Sequence, residues 1–225
     1  MKKVLVTGAH GQLGSEINFL SSLLETHSFT FYDHQDLDIT SAEQVDAHLA
    51  QGYEVLINCA AYTAVDKAES EREKAFQING EAVGVLAKAC KKYNCKMVHV
   101  STDFIFDGML ARPLMEDDQP NPVSVYGASK LEGEKQLLEN NSDSVLIRTS
   151  WVYSSFGNNF VKTILRLCRE RESLNVIYDQ VGTPTYARDL AAFILRTVTG
   201  YKWVGCLYNF SNEGVCSWYD FAIAI

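Results

Sequence analysis

A tyrosine and a lysine four residues apart, Tyr126 and Lys130, form the pair of side chains with the clearest chemical use. On a helix the two lie on one face, about one turn apart. Reduction of a carbonyl group needs a hydride and also a proton for the oxygen, which a phenol can deliver. A nearby ammonium, together with the positive charge of an oxidised hydride donor, favours the phenolate, so we expect the two to lower the pKa of Tyr126 from about 10 toward neutral pH. The pair therefore predicts redox chemistry at a carbonyl or hydroxyl carbon.

A hydroxyl that could orient the carbonyl oxygen precedes this pair. Ser101, Thr102 and Asp103 follow a short apolar run, at the carboxyl end of a predicted strand. Ligands of open α/β sheets bind at that end of the strands. We therefore predict that a hydroxyl of this segment, from Ser101 or Thr102, acts together with Tyr126 and Lys130.

A glycine-rich turn near the N-terminus predicts a dinucleotide site. The segment 8–14 reads GAHGQLG and lies between a predicted strand and a predicted helix. Glycines there let the backbone approach a pyrophosphate, whose charge the N–H groups of the helix start can bind. The predicted contacts in this turn are Gly8, Gly11 and Gly14.

The next two strands predict the rest of the cofactor site. Asp33 ends the second strand, where an acidic residue would bind the adenosine ribose hydroxyls. No arginine lies nearby to hold a 2′-phosphate and His34 is the single candidate, so both NADH and NADPH stay open. Asp38 and Ile39 could flank the adenine. Small residues after the third strand, Ala60 among them, would let a cofactor lie across the strand ends.

Strands and helices alternate through the first 150 residues, which predicts an α/β fold: a Rossmann-type, doubly wound parallel sheet. Thr40 with Glu43 fits a capping box that opens a short helix. The predicted strands are Lys3–Thr7, Phe29–Tyr32, Val55–Asn58, Lys96–Val100 and Val145–Arg148. The predicted helices are Gln12–Glu25, Glu71–Tyr93 and Tyr126–Glu139.

The regular alternation of strands and helices changes beyond residue 150. Helices are predicted at Asn159–Arg171 and Ala187–Thr197, and strands at Leu174–Tyr178 and Cys206–Phe210. We expect a dinucleotide-binding domain at 1–150 and, at 151–225, a mixture of Rossmann completion and a smaller substrate-binding region. The last six residues continue an apolar helical pattern without a stop signal, so we expect that region to be C-terminally truncated.

Composition narrows the partners. The net charge is −8 and no basic run occurs, which argues against a nucleic-acid partner. The apolar run after Lys2 and Lys3 ends at Thr7, too short for a secretory signal, and no stretch is long enough for a membrane span. Six cysteines without CxxC spacing are typical of reduced thiols. We expect a cytoplasmic protein with no membrane partner.

Longer motifs resemble the extended short-chain dehydrogenases and, within them, the dTDP-4-dehydrorhamnose reductases. The similarity covers essentially the whole chain. It rests on GQLG at 11–14, NCAAYTAVDKAE at 58–69, VSTDFIFDG at 100–108, RTSWVY at 148–153, GNNF at 157–160 and DQVGTPT at 179–185. The resemblance implies NAD(P)H-dependent reduction of the C4 ketone of dTDP-6-deoxy-L-lyxo-4-hexulose to dTDP-L-rhamnose.

Site residues follow from the same resemblance. It implies a triad of Thr102, Tyr126 and Lys130, and an Asn79 that supports the active-site water network. The residues implied to line the dinucleotide are Gln12, Leu13, Asp33, Asp38, Ile39, Ala61, Tyr62 and Thr63. Those implied to contact the sugar nucleotide are Val65, Thr102, Asp103 and Trp151.

One departure from the family pattern and two rival functions remain. Some relatives dimerise through glutamates that bind magnesium; Glu16 matches one, but Arg188 stands at the other. We therefore predict no metal, and a monomer or weak homodimer. A nucleotide-sugar epimerase or dehydratase would need no added reduced cofactor, and a dehydratase would need a second acid after Asp103. A non-catalytic regulatory subunit would lack the triad.

Overall fold

A six-stranded, wholly parallel sheet forms the centre of the computed structural model, which describes residues 2–25, 27–200 and 202–225. The sheet strands are β1 (Lys2–Thr7), β2 (His27–Tyr32), β3 (Val55–Asn58), β4 (Lys96–Thr102), β5 (Val145–Thr149) and β9 (Leu207–Phe210). Their order in the sheet is β2-β1-β3-β4-β5-β9. Their apolar sequences suit strands that are covered on both faces.

Helices connect the strands. They are α1 (Gln12–Ser21), α2 (Ala42–Leu49), α3 (Val65–Ala68), α4 (Arg72–Phe76), α5 (Ala82–Lys92), α6 (Val125–Asn140), α7 (Phe160–Glu170), α8 (Ala187–Thr199) and α9 (Trp218–Ala224). Four two-residue strands form two small sheets: β6 (Val152–Tyr153) pairs with β8 (Thr185–Tyr186), and β7 (Val181–Gly182) pairs with β10 (Cys216–Ser217). The doubly wound α/β fold is therefore as predicted.

Two hydrophobic cores hold the layers together, one on each face of the sheet. On one face Leu56 and Met97 pack with residues of α2, α5 and α6, such as Leu86. On the other, Ile57 and Val98 pack with α1 and α8. Successive strand residues alternate between the faces, so both faces must be apolar. This arrangement fixes α6 against β4.

The order of the strands also locates the ligand site. β1 lies between β2 and β3, so the chain reverses its direction of travel across the sheet at β1. Ligands of such sheets bind outside the carboxyl ends of the strands at this switch point. Thr7 and Asn58, at those ends, are register partners, and the Thr7 hydroxyl donates to Asn58 Oδ1 (2.6 Å).

Three sequence-based element predictions are wrong in detail. The first helix ends at Ser21, before Glu25. The cap of α2 is Ser41, which accepts from Gln44 N, because the Thr40 hydroxyl is instead bonded to Asp38. The long helix predicted from residue 71 to residue 93 contains a π-helical segment, Gln77–Glu81, between α4 and α5.

The predicted strand Leu174–Tyr178 does not form. Its Ile177 and Tyr178 side chains are 51% and 75% exposed, so they lack the apolar cover that a strand of this composition requires. A single backbone bond, from Tyr219 N to the Ile177 carbonyl, replaces a ladder. Among the described residues, no helix is both long and apolar enough to span a membrane.

Candidate active site

The start of α6 positions the tyrosine and the lysine. Ser124 caps the helix by accepting from Gly127 N, and the Glu69 carboxylate accepts from Val125 N. A Cβ on Gly127 would lie 2.1 Å from the Phe104 carbonyl oxygen, so only glycine lets α6 come this close to the end of β4. Tyr126 is consequently held in the first turn beside Phe104, whose ring it meets edge to face at 5.6 Å.

Thr102, the last residue of β4, is 7% exposed and takes part in a short hydrogen-bonded chain. Its hydroxyl donates to Asp103 Oδ1 (3.2 Å) and accepts from Phe104 N (3.2 Å). Burial raises the pKa of Asp103 to about 6, partly opposed by the bond from Thr102. A carboxyl group that is mostly ionised at neutral pH, with a pKa about one unit below it, therefore adjoins the predicted catalytic hydroxyl.

The expected lowering of the Tyr126 pKa is wrong for this structure. Burial raises the pKa of the phenol to about 12; hydrogen bonding to Thr102 opposes the rise, and the charge of Asp103 adds to it. The Lys130 ammonium donates instead to the Val100 carbonyl oxygen (2.8 Å). Tyr126 is thus a protonated acid at neutral pH, the state needed to donate a proton.

Lys130 is buried, 2% exposed, on the face of α6 that covers β4. Burial lowers its pKa to about 8, against the opposing charge of Glu134 one turn further along. Glu134 is itself 2% exposed and is paired with buried Arg148 (2.8 Å). The lysine is therefore cationic at neutral pH but close to its titration point.

The glycine turn fits the phosphates of a dinucleotide. Gly8 has φ +70°, in the region that favours glycine, and a Cβ there would lie 2.7 Å from Ala60 N. A Cβ on Gly14, in the first turn of α1, would lie 2.2 Å from the Gly8 carbonyl oxygen. The backbone is thus packed closely around the start of α1, where the N–H groups favour an anion.

Asp33 lies at the end of the site where an adenosine ribose would bind. His10 Nδ1 lies 2.7 Å from Asp33 Oδ2, and the backbone N–H and the ring of His34 contact Asp33 Oδ1. These bonds, chiefly the one from the His34 backbone, lower the pKa of Asp33 to about 2. The sequence interpretation missed His10; its position between Gly8 and Gly11 of the phosphate-binding turn is the signal that could have found it.

Asn79, in the π-helical segment, fastens the loop after β3. Its Oδ1 accepts from Tyr62 N (2.8 Å), and its Nδ2 donates to the Tyr62 carbonyl oxygen and to Ser129 Oγ, both at 3.0 Å. π-Helical segments often occur at functional sites. The predicted water-network role stays a prediction; the structure gives Asn79 a role in joining this loop to α6.

Trp151, two residues after the end of β5, has φ +46° and stacks on Trp218 with ring centroids 3.5 Å apart and an interplanar angle of 8°. The sequence interpretation missed Trp218 because no spacing relates it to Trp151. Glu16, which matches one of the magnesium-binding glutamates of some relatives, is fully buried; Arg188 Nε donates to its Oε2 (2.8 Å) and Ser154 Oγ to its Oε1 (2.7 Å). Both carboxylate oxygens therefore have protein partners.

A single cavity of about 1260 Å³ joins these groups along the carboxyl ends of the strands. It is lined by the predicted residues Gly8, Gly11, Gln12, Leu13, Gly14, Asp33, Asp38, Ile39, Ala60, Ala61, Thr63, Val65, Thr102, Asp103, Tyr126, Lys130 and Trp151. Tyr62 is the exception: its side chain packs with Ala68 and Ala75, and its hydroxyl donates to Glu71 Oε2 (3.1 Å). The cavity therefore adjoins both the residues predicted for the dinucleotide and those predicted for the sugar nucleotide.

Comparison with known proteins gives a consistent result. Residues 1–225 match the family model described as RmlD substrate binding domain. A dTDP-4-dehydrorhamnose reductase of Aggregatibacter actinomycetemcomitans is 41% identical over 231 residues, covering 100% of this chain and 78% of the relative. The spore coat polysaccharide biosynthesis protein SpsK of Bacillus subtilis is 39% identical, with 100% and 78% covered. A dTDP-4-dehydrorhamnose reductase of Bacillus anthracis, solved in complex with NADP, superposes with a TM-score of 0.94 at 40% identity, covering 99% of this chain and 79% of that one.

Proposed function

This chain belongs to the RmlD substrate-binding-domain family, and on that premise we propose that it reduces the C4 ketone of dTDP-6-deoxy-L-lyxo-4-hexulose to dTDP-L-rhamnose. The observation that carries the proposal is the meeting of Thr102, Tyr126 and Lys130 in the cavity whose far end holds the glycine turn. The enzyme is an NAD(P)H-dependent oxidoreductase, similar to the relative that was solved with NADP.

The residues present fit the dinucleotide. The turn at Gly8 and Gly14 tolerates no Cβ, as a backbone that must approach a pyrophosphate requires. Asp33 would bind the adenosine ribose, with Asp38 and Ile39 beside the adenine. When bound, NAD(P)H supplies the hydride for the carbonyl carbon. The rings of His10 and His34 both contact the Asp33 carboxylate, and we propose that both NADH and NADPH are accepted.

Tyr126 supplies the proton. Its high pKa keeps the phenol protonated before reaction, so it can hydrogen-bond the ketone oxygen and donate as negative charge develops there. The Thr102 hydroxyl would hold the same oxygen. It now donates to Asp103, so substrate binding would redirect that hydrogen. The proton moves from the Tyr126 Oη to the new C4 hydroxyl.

Lys130 stabilises the phenolate that remains. Its ammonium is buried where water cannot screen it, so its charge acts more strongly than it would at a surface. It now donates to the Val100 carbonyl and has two further N–H groups available for the cofactor ribose and for the phenolate. Deprotonation near pH 8 would remove this stabilisation.

The substrate side of the proposal is broader. Val65, Asp103 and Trp151, which line the cavity beyond the triad, would contact the sugar nucleotide. We propose that 1–150 forms the dinucleotide-binding domain and 151–225 the sheet completion and part of the substrate region. A monomer or weak homodimer in the cytoplasm completes the proposal.

The direct test supplies NADH or NADPH with the keto-sugar nucleotide and follows cofactor oxidation by absorbance. We expect turnover by the wild type. In Tyr126→Phe we expect kcat to fall by about 100-fold or more, which is the loss expected when a general acid is removed. Tyr208→Phe, a tyrosine on β9 outside the cavity lining, is the matched control. Equal rates for wild type and Tyr126→Phe would refute the assignment.

The same assay separates the rivals. An epimerase or dehydratase would convert a nucleotide sugar without net consumption of the reduced cofactor. A dehydratase also needs a second acid after Asp103, and Phe104 stands there. A regulatory subunit would bind ligand without turnover, although this chain retains the triad.

A further inference from the structure

The backbone of Trp151 is in an unfavourable conformation. Its φ of +46° lies in the left-handed region, which bulky residues rarely adopt. Asn94 is the only other non-glycine residue with positive φ in the described part of the chain. Such a conformation persists only where neighbouring groups enforce it, and strained residues of this kind cluster at ligand-binding positions. The question is what holds Trp151.

Two neighbours hold the indole of Trp151. Trp218 stacks on it nearly in parallel, at 3.5 Å between ring centroids. Gly182 lies against the same ring. A Cβ on Gly182 would be 2.6 Å from Trp151 Cε2, closer than two non-bonded carbon atoms can approach. The Trp151 carbonyl accepts from Thr185 N (3.2 Å), which fastens the backbone as well.

The two neighbours belong to one unit of structure. Gly182 in β7 is the register partner of Cys216 in β10, and Trp218 begins α9 directly after that strand. Ser217 and Asp220 form a capping box that fixes the start of α9. The ring of Phe160 also packs on Trp218, with 4.6 Å between the ring centroids. The strand pair therefore sets the positions of Gly182 and Trp218 together.

We propose that Trp218 and Gly182 are positioning residues that hold the Trp151 indole as a fixed wall of the sugar-nucleotide subsite. Trp151 and Trp218 both line the cavity that contains Tyr126 and Thr102. The proposal rests on the proposed function to the extent that Trp151 contacts the substrate. Replacement of Trp218 or Gly182 lets the Trp151 indole move but leaves the triad in place. Substrate binding should therefore weaken while cofactor binding does not.

The binding test compares Trp218→Ala, Gly182→Ala, Trp151→Ala and the double variant Trp151→Ala/Trp218→Ala. An aromatic pair contributes roughly 0.5–1.5 kcal/mol, so Trp218→Ala should raise the KM for the nucleotide sugar roughly two- to twelvefold. The Kd for NADPH should not change. Because Trp218 acts through Trp151, the double variant should bind no more weakly than Trp151→Ala. Gly182→Ala should raise the same KM by displacing the indole, without loss of an aromatic ring.

Three results would overturn the proposal. Additive effects in the double variant would mean that Trp218 acts independently of Trp151, and a parallel loss of NADPH affinity would mean a general disruption of the fold. Equal KM values for Gly182→Ala and wild type would also contradict it.

A measurement on the ligand-free protein keeps this inference separate from the proposed function. Near-ultraviolet circular dichroism reports fixed indole packing, and the chain has three tryptophans. Trp218→Phe and Trp151→Phe should remove the same part of the spectrum, whereas Trp203→Phe, the control, should remove a different part. Independent losses in the first two variants would refute the stacked unit. A wild type that binds no nucleotide sugar would refute the proposed function, and the spectra would still decide whether Trp218 holds Trp151.

Discussion

Replacement of Lys130 by methionine gives the most quantitative prediction. Burial lowers the pKa of this lysine from 10.5 to about 8. At about 1.4 kcal/mol for each pKa unit, the charged form destabilises the fold by about 3 kcal/mol. The penalty is fully present below pH 8, because both folded and unfolded chains then carry the proton. It disappears as pH rises from 8 to 10.5, where only the unfolded chain stays protonated.

The assay is urea denaturation of wild type and Lys130→Met at several pH values between 7 and 10. The difference in unfolding free energy should change in favour of the wild type by up to about 3 kcal/mol as pH rises. Lost packing and the unpaired Val100 carbonyl shift the difference equally at every pH, so they do not affect its slope. Lys135→Met, an exposed position on the same helix, is the control. A pH-independent difference for Lys130→Met would refute the reasoning.

Three further predictions concern the surroundings of the triad. Gly14→Ala should abolish NADPH binding measured by calorimetry, because the new Cβ would lie 2.2 Å from the Gly8 carbonyl oxygen; retained affinity would show that the turn can widen. Asp103 has a pKa of about 6, so the wild type should lose stability relative to Asp103→Asn as pH rises from 4 to 6, by about 3 kcal/mol at most; parallel curves in thermal melts would contradict this. Glu134→Gln should destabilise the protein by about 3–5 kcal/mol in urea, because it leaves Arg148 buried without its partner; a change below about 1 kcal/mol would mean that water reaches the guanidinium.

Much of the sheet was predictable because its strands carry their own signal. The apolar runs of β1, β3, β4 and β5 lie within two residues of their predicted bounds. The strand predicted at Leu174–Tyr178 has a similar composition, but the alternation of residues says nothing about whether a neighbouring strand exists to pair with it. Pairing is a long-range property, and this segment has only one backbone bond to α9.

The features of the site likewise separate into those that local sequence patterns predict and those that depend on long-range contacts. The glycine turn and the spacing of Tyr126 and Lys130 are local patterns, and the structure brings them into one cavity as expected. The direction in which the Tyr126 pKa shifts depends on burial and on the hydrogen bond that Lys130 makes to Val100 instead. The spacing of residues in the sequence reports neither. The stack of Trp151 on Trp218 joins residues 67 positions apart through a two-residue strand pair, too short to leave a sequence signal.

The most direct test of the central claim uses NADPH deuterated on the transferred position, together with the keto-sugar nucleotide. If Tyr126 protonates the oxygen of a ketone that is reduced by hydride transfer, the product of the wild type is dTDP-L-rhamnose with deuterium on C4, detected by NMR. Tyr126→Phe should form this product about 100-fold more slowly, or more slowly still. Unlabelled product, or label at any other carbon, would contradict the account.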